Sequence, residues 1–272
     1  MQRWMHQGTT MRYCNIEGDI VCCKQYGFDA IELKYNIICN YNREQIKDLL
    51  WKNDVRAGSI GALWIPVLQD DVRKSERELQ LRSLCDLAEY LEADYIMILP
   101  NREVGNAEWR DIEEDAVRLI KDYSNIAEEY NVNLAMEIMG FSDCCINTID
   151  KSLEIINRVG KDNLGLVYDF YHILGMKDLG EGILGTEGKN IFSVHVNDGE
   201  RCSPGVYYDD HRLWLGEGAL KVENQIDMLK RIGYKGPFSV EVYQQEMWEI
   251  SMEACYKKAQ NSMDRIEKLL RV

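Results

Sequence analysis

The sequence predicts an α/β fold, a (β/α)8 TIM barrel that occupies residues 1–272 as one domain. Three observations predict it. Eight short β-rich runs alternate with segments of helical period. The runs begin roughly every 33 residues, about one strand-plus-helix unit. The length of 272 residues allows one large domain or two small ones, and an eight-unit barrel fits it. Only four Pro and no Ser/Gly-rich stretch leave no linker that would divide the chain. The competing arrangement is an open doubly wound sheet. It would carry a Gly-rich phosphate loop after the first strand, and Gln7-Gly8-Thr9-Thr10-Met11-Arg12 lacks that pattern.

The eight runs, in order, are Arg3–Gly8, Ala30–Tyr35, Arg56–Leu63, Tyr95–Pro100, Asn133–Met139, Leu164–Asp169, Ile191–Asn197 and Pro237–Tyr243. Candidate helices between and after them are Ser75–Leu91, Ile112–Tyr130, Ile149–Val159, Val222–Ile232 and Ser251–Leu270. In the first of these, Leu79, Leu84, Leu87, Ala88 and Leu91 read as one apolar stripe. Gly27 and Gly233 follow apolar stretches and are expected just past helix ends, where φ is positive. Strict alternation of strand and helix implies parallel pairing through right-handed crossovers.

Composition narrows the function classes. Forty-six acidic against 32 basic side chains give a net charge of −14, which disfavours nucleic acid and anionic membranes as partners. No apolar run is long enough to span a bilayer. The N-terminal Met1-Gln-Arg-Trp-Met-His6 has no apolar signal core, so a cytoplasmic location is expected. The nine Cys are odd in number and form no C-x-x-C pair, so reduced thiols are expected rather than disulfides or a cysteine zinc site.

The last four strands carry polar residues where a buried barrel strand should be apolar. They are Glu137, Asp169, His195 and Glu241. By the two-residue period, Glu137 shares a face with Ala135, Asp169 with Val167 and Gly165, His195 with Ser193, and Glu241 with Ser239. The opposite faces are bulky: Leu134/Met136/Ile138, Leu166/Tyr168, Phe192/Val194/Val196 and Phe238/Val240/Val242. Bulky faces belong under the helices, so the small-residue faces point to the axis. Four consecutive strands thus aim one ionisable residue each inward near their C-terminal ends, where barrel active sites form. Three carboxylates in a dry mouth need compensation. A divalent cation supplies it, and this N/O donor set suits Mn²⁺, Mg²⁺, Co²⁺ or Zn²⁺, with Mn²⁺ favoured because no thiolate is present. A salt-bridge network is the competing reading, against which stands the absence of Lys and Arg from these four segments.

The stretches MEIMG, NLGLVYDFYH, FSVHVND, DDHRLWLGEG and FSVEVY, with Gly8-Thr9-Thr10 and Asn147-Thr148, resemble the xylose-isomerase-like sugar-phosphate isomerase/epimerase superfamily. The similarity covers nearly the whole chain and is strongest toward the inosose isomerases (2-keto-myo-inositol isomerases). The resemblance implies that Glu137, Asp169, His195 and Glu241 bind one divalent metal, often manganese, and that Glu137 and Glu241 act as an acid/base pair. It also implies that His172 and Arg212 bind substrate. Alternatively His172 caps a helix, and Arg212 pairs with Asp209 or Asp210. Arg201 competes with Arg212 for the substrate contact.

The implied reaction moves a carbonyl or inverts a centre beside it in a keto-inositol or keto-sugar, through a metal-stabilised enediolate. The alternative is a lyase on the same scaffold, an inosose dehydratase or a C-glycoside-cleaving enzyme, which begins with the same proton abstraction. Trp64, Trp214, Phe141 and Tyr243 are candidate walls against a sugar ring, whereas Trp4 is expected in the core. His6 is a candidate substrate contact and His211 a loop residue, and Glu32 with Lys34 forms a buried pair or, alternatively, orients substrate.

Overall fold

The structure, a computed structural model, describes residues 1–102, 104–202, 207–244 and 249–271. Eight parallel strands close into a barrel. They are β1 (Arg3–His6), β2 (Ala30–Lys34), β3 (Arg56–Ile65), β4 (Tyr95–Pro100), β5 (Leu134–Glu137), β6 (Leu164–Asp169), β7 (Ile191–Val196) and β10 (Phe238–Val240). Between the last two, β8 (Asp198–Gly199) and β9 (Arg212–Leu213) form an antiparallel hairpin. The order around the barrel is β1-β10-β7-β6-β5-β4-β3-β2, so successive barrel strands are neighbours and the last closes on the first.

The helices are α1 (Ile16–Gln25), α2 (Tyr35–Ile38), α3 (Arg43–Asn53), α4 (Asp71–Leu91), α5 (Trp109–Glu128), α6 (Ile149–Val159), α7 (Phe170–Leu174), α8 (Val222–Arg231) and α9 (Met252–Arg271). Their ends follow local chemistry. Thr148 accepts from the Lys151 N–H at the start of α6, and Gly160 ends that helix at φ +61°. Gly27 and Gly233 both adopt φ +75° just past α1 and α8, as their placement in the sequence predicts. The apolar stripe of α4 is shifted from the expected one. Leu81, Leu84, Cys85, Ala88 and Leu91 are buried, while Leu79 is 68% exposed. Leu81 and Cys85 continue the rows of Leu84, Ala88 and Leu91 at spacings of about three and four residues, and Leu79 falls off that face.

Apolar side chains form two shells. The outer one lies between strands and helices and contains Leu134, Met136, Leu166, Val194, Phe238 and Val240. The inner one plugs the barrel below the mouth with Trp4, Tyr95, Met97, Ala135 and Val167. Trp4 stacks on Tyr95 there. Phe192 departs from its expected outward face and packs on this inner plug. The pairing of β6 with β7 explains it. Leu166 pairs with Ile191 and Val167 with Ser193, so Phe192 is the extra residue of a bulge and escapes strict alternation.

No cysteine among the described residues forms a disulfide. Among the described residues, no helix is long and apolar enough to cross a membrane.

Candidate active site

The inward phase of the last strands survives folding. One ligand atom each from Glu137, Asp169, His195 and Glu241 lies within 4.8 Å of the others, and all four residues are buried. Glu137 ends β5 and Asp169 ends β6. His195 is the penultimate residue of β7. Glu241 lies one position past β10, yet its N–H still donates to Val196 O and prolongs the ladder.

Local structure fixes each side chain. Asp169 caps α7, its Oδ1 accepting from the N–H of Tyr171 (2.7 Å) and of His172 (3.4 Å). Asn197 Nδ2 donates to the same oxygen at 3.0 Å and also holds Glu241 O at 3.0 Å. Oδ2 is left facing the cluster. His195 points Nδ1 into it, 2.8 Å from Glu241 Oε2, 3.0 Å from Glu137 Oε1 and 3.6 Å from Asp169 Oδ2.

Charge compensation differs from the expectation. Although the four strand segments carry no Lys or Arg, Arg212 reaches in from β9 and is 2% exposed. Its Nη1 lies 2.7 Å from Asp169 Oδ2 and 3.4 Å from Glu241 Oε2, and its Nε donates to Asp209 at 3.2 Å. The guanidinium also lies over the rings of Tyr171 and Tyr243. The salt-bridge reading is therefore realised in part, through a residue outside the strands. The hairpin that delivers Arg212 is shaped by Asp198, which accepts from the N–H groups of Gly199, Gly216 and Leu220. A Cβ on Gly218 would meet Gly199 O at 2.3 Å, so the Leu-Gly-Glu-Gly segment is built for this close return.

These contacts displace the titrations. Burial and the nearby Glu241 push the Glu137 carboxyl up to about 7. Burial also works against ionised Glu241, but His195, His6 and Arg212 override it and hold that carboxyl well below its usual range. Asp169 is likewise held low, chiefly by Arg212 against the cost of burial. The two glutamates are thus pushed in opposite directions beside one cavity.

Glu137 and Glu241 of the cluster line a cavity of about 530 Å³ at the C-terminal mouth, together with Arg212, His6, Lys34, Trp64, Phe141, His172 and Tyr243 among others. A larger cavity of about 920 Å³ on the flank contains Arg201 and none of the four cluster residues. The structure thus brings Arg212, and not Arg201, to the cluster. Depth, polarity and perturbed groups mark the mouth as the candidate site despite its smaller volume.

His172 is buried, with Nε2 3.3 Å from Arg212 Nη2 and Nδ1 without a hydrogen-bond partner. Burial lowers its pKa to about 4, so the ring is neutral near pH 7 and offers Nδ1 to the cavity. His6 is also neutral, burial lowering it to about 4. Its Nδ1 accepts from the Gly8 N–H at 3.1 Å and stands 3.3 Å from Glu241 Oε1. Trp64, Phe141 and Tyr243 line the cavity, whereas Trp214 is buried in the helix-side core. His211 sits in the turn before β9, as expected of a loop residue, and its Nδ1 accepts from the Tyr208 N–H.

The expected Glu32–Lys34 pair does not occur among the described ion pairs. Lys34 Nζ instead donates to Tyr243 OH at 3.1 Å. Glu32 lies one inward position deeper and faces His195 Nε2 at 3.2 Å. Both residues are in phase, but Lys34 ends its strand at the mouth and Glu32 sits on the plug. Asn197 and Asp198 are supporting residues that the sequence did not point to, and Glu32 it placed beside Lys34 rather than His195. The one sequence signal for Glu32 was its inward phase on an apolar strand.

The four donors fit a divalent cation. A single imidazole N–H cannot serve three carboxylates at once, and Glu241 Oε2 is buried without a hydrogen-bond partner. The set of three carboxylates and one imidazole contains no thiolate.

Known proteins agree with this architecture. The family model described as "Xylose isomerase-like TIM barrel" matches residues 22–266. An inosose isomerase of Bacillus velezensis is 26% identical over 271 residues, covering 98% of this chain and 97% of its own length. A ketose 3-epimerase of Arthrobacter globiformis is 23% identical, covering 81% of this chain and 75% of its own. The crystal structure of the IOLI protein with a binding zinc atom superposes with a TM-score of 0.92 at 25% identity, covering 98% of each chain.

Proposed function

The chain belongs to the xylose isomerase-like TIM barrel family, and from that premise we propose that it isomerises or epimerises a keto-inositol or keto-sugar, with 2-keto-myo-inositol the best match. The observation that carries this reading is the convergence of Glu137, Asp169, His195 and Glu241 at a polar, aromatic-walled cavity that Glu137 and Glu241 line. The inosose isomerase and ketose 3-epimerase relatives support the substrate class. The zinc in the IOLI structure supports a divalent ion, and the donor chemistry accommodates Mn²⁺ equally.

Glu137, Asp169, His195 and Glu241 would hold the ion. When bound, it supplies Lewis acidity that polarises a carbonyl and offsets negative charge developing on its oxygen. The remaining work falls to the side chains. Glu137 and Glu241 both line the cavity and are the carboxylates placed to give and take the proton beside the carbonyl. They stand on strands separated by β6 and β7, so they approach a bound substrate from different sides. His172 Nδ1 and Lys34 Nζ donate to substrate hydroxyls, Arg212 keeps Asp169 and Glu241 in place and borders the substrate, and His6 backs Glu241. Trp64, Phe141 and Tyr243 cover the apolar face of a ring and exclude water.

The test is hydrogen–deuterium exchange beside the carbonyl of a panel of inososes and ketoses, with elemental analysis of the purified protein. Glu137→Gln and Glu241→Gln should each slow exchange by about 10²–10⁴-fold. Wild-type exchange in both variants overturns the acid/base assignment. Water release in place of carbonyl migration would identify a dehydratase instead.

A further inference from the structure

The proposed metal reading treats His195 as a ligand but leaves its second nitrogen unexplained. That nitrogen faces the barrel interior, where the sequence offers a carboxylate with no evident duty. Glu32 is fully buried on β2, a strand that contributes none of the four donors. Its Oε2 accepts from Ser59 Oγ at 2.6 Å and from Tyr95 OH at 3.0 Å, and Tyr95 OH lies 2.6 Å from Ser193 Oγ. Its Oε1 has no hydrogen-bond partner, and neither has His195 Nε2. These two orphaned atoms face each other at 3.2 Å.

We propose that Glu32 is a positioning residue for His195: it holds the ring from behind and keeps the proton on Nε2, so that the Nδ1 lone pair faces Glu137, Asp169 and Glu241. This inference rests on the metal reading above. The physical argument is short. An ionised carboxylate can only accept, so the nitrogen that faces it must carry the proton. A neutral imidazole has one proton, which leaves the other nitrogen free to ligate. Ser59 and Tyr95 pin the far oxygen, so the near one cannot turn away from the ring. A carboxylate behind a ligating histidine both orients the ring and raises its basicity. The position also explains why β2 keeps an acid in an otherwise apolar plug. No competing cation serves Glu32, since Lys34 is engaged at Tyr243.

The experiment strips the protein of metal and titrates it with Zn²⁺ and with Mn²⁺ against a fluorescent chelator. Wild type, Glu32→Ala, Glu32→Gln, Ser59→Ala and His195→Ala are compared, with circular dichroism as the check on folding. Glu32→Ala should weaken binding by about 10–100-fold. Glu32→Gln should fall between it and wild type, because the amide oxygen can still accept from Nε2–H. Ser59→Ala, which removes one of the two hydrogen bonds that pin Glu32 Oε2, should weaken binding less than Glu32→Ala does, because Tyr95 still holds that oxygen. Long-range ¹⁵N–¹H spectra of Zn²⁺-loaded wild-type protein should show the His195 proton on Nε2, with Nδ1 the coordinated nitrogen. Those spectra need no variant, so they decide the matter even if Glu32→Ala fails to fold. Wild-type affinity in Glu32→Ala, or coordination of the ion through His195 Nε2 in Zn²⁺-loaded wild type, overturns the inference while leaving the metal site intact. Failure of wild type to bind either ion removes the metal reading and this inference together.

Discussion

Two buried acid sites can be set side by side: the cluster at the barrel mouth and Asp19 on α1. Both lie in the interior, and each contains a carboxyl pushed up to about 7 by burial. Their neighbours differ. Asp19 is surrounded by neutral donors: Thr10 Oγ1 at 2.6 Å, Gln7 Nε2 at 3.3 Å and Tyr256 OH at 3.3 Å. The mouth cluster is surrounded by other ionisable groups, with Arg212 and His195 facing three carboxylates. Asp19 leaves no orphaned oxygen, whereas Glu241 Oε2 and His172 Nδ1 remain unpartnered and His172 lines the cavity. A buried acid that fastens structure is fully enclosed by hydrogen bonds. One that works is left incomplete on the side where a ligand enters.

The comparison explains the Gly8-Thr9-Thr10 segment, which the resemblance singled out without a role. It fastens the N-terminal turn. Thr10 holds Asp19, Thr9 links Val240 O to Val242 N–H, and Gly8 leaves room for Tyr243, whose hydroxyl would sit 2.2 Å from a Cβ there.

The comparison can be broken in three ways. The largest effect is expected from Asp169→Ala. It removes one proposed donor and strands Arg212, so the proposed binding of one divalent ion per chain should become undetectable by calorimetry, with activity lost. Retained stoichiometric binding would show that the cluster does not act as a unit. Next is Arg212→Met, which leaves Asp169 buried without its cation. Breaking such a pair costs about 3–5 kcal/mol, readable in urea unfolding of metal-free protein. An unchanged midpoint would mean that His195 alone compensates the carboxylates.

The smallest effect is at Asp19, and it is a pH dependence. Its folded pKa is raised above the unfolded value, so the neutral acid favours the folded state fully below about pH 4, and that contribution fades as the pH rises toward 7. Over that window wild type should lose on the order of 3–4 kcal/mol relative to Asp19→Asn, which has no proton to release. Unfolding free energies of both proteins at the two ends of the window measure it. Parallel curves would mean that Asp19 stays ionised, and metal binding should be unchanged in either case.

Much of the molecule was legible in the chain. Eight strands, their order and the four cluster residues follow from two periodicities and a face argument. The limits appear at particular residues. Phe192 crossed to the inner face because bulging depends on the partner strand. Leu79 misled because stripe membership is decided by which rows meet the barrel. Arg212 entered the cluster from 43 positions beyond Asp169, through a hairpin whose return Asp198 shapes.

The sequence by itself determined the βα repeat, the inward phase of strands five to eight and which four residues cluster there, because strand and helix periods are properties of consecutive residues. Only the tertiary structure decided what stands behind and beside those donors. Glu32 meets His195, Asn197 braces Asp169 and Glu241, and Lys34 turns to Tyr243 because barrel closure, register shifts and a folded-back hairpin bring them together. Such contacts join residues far apart in the chain, and no local period encodes them.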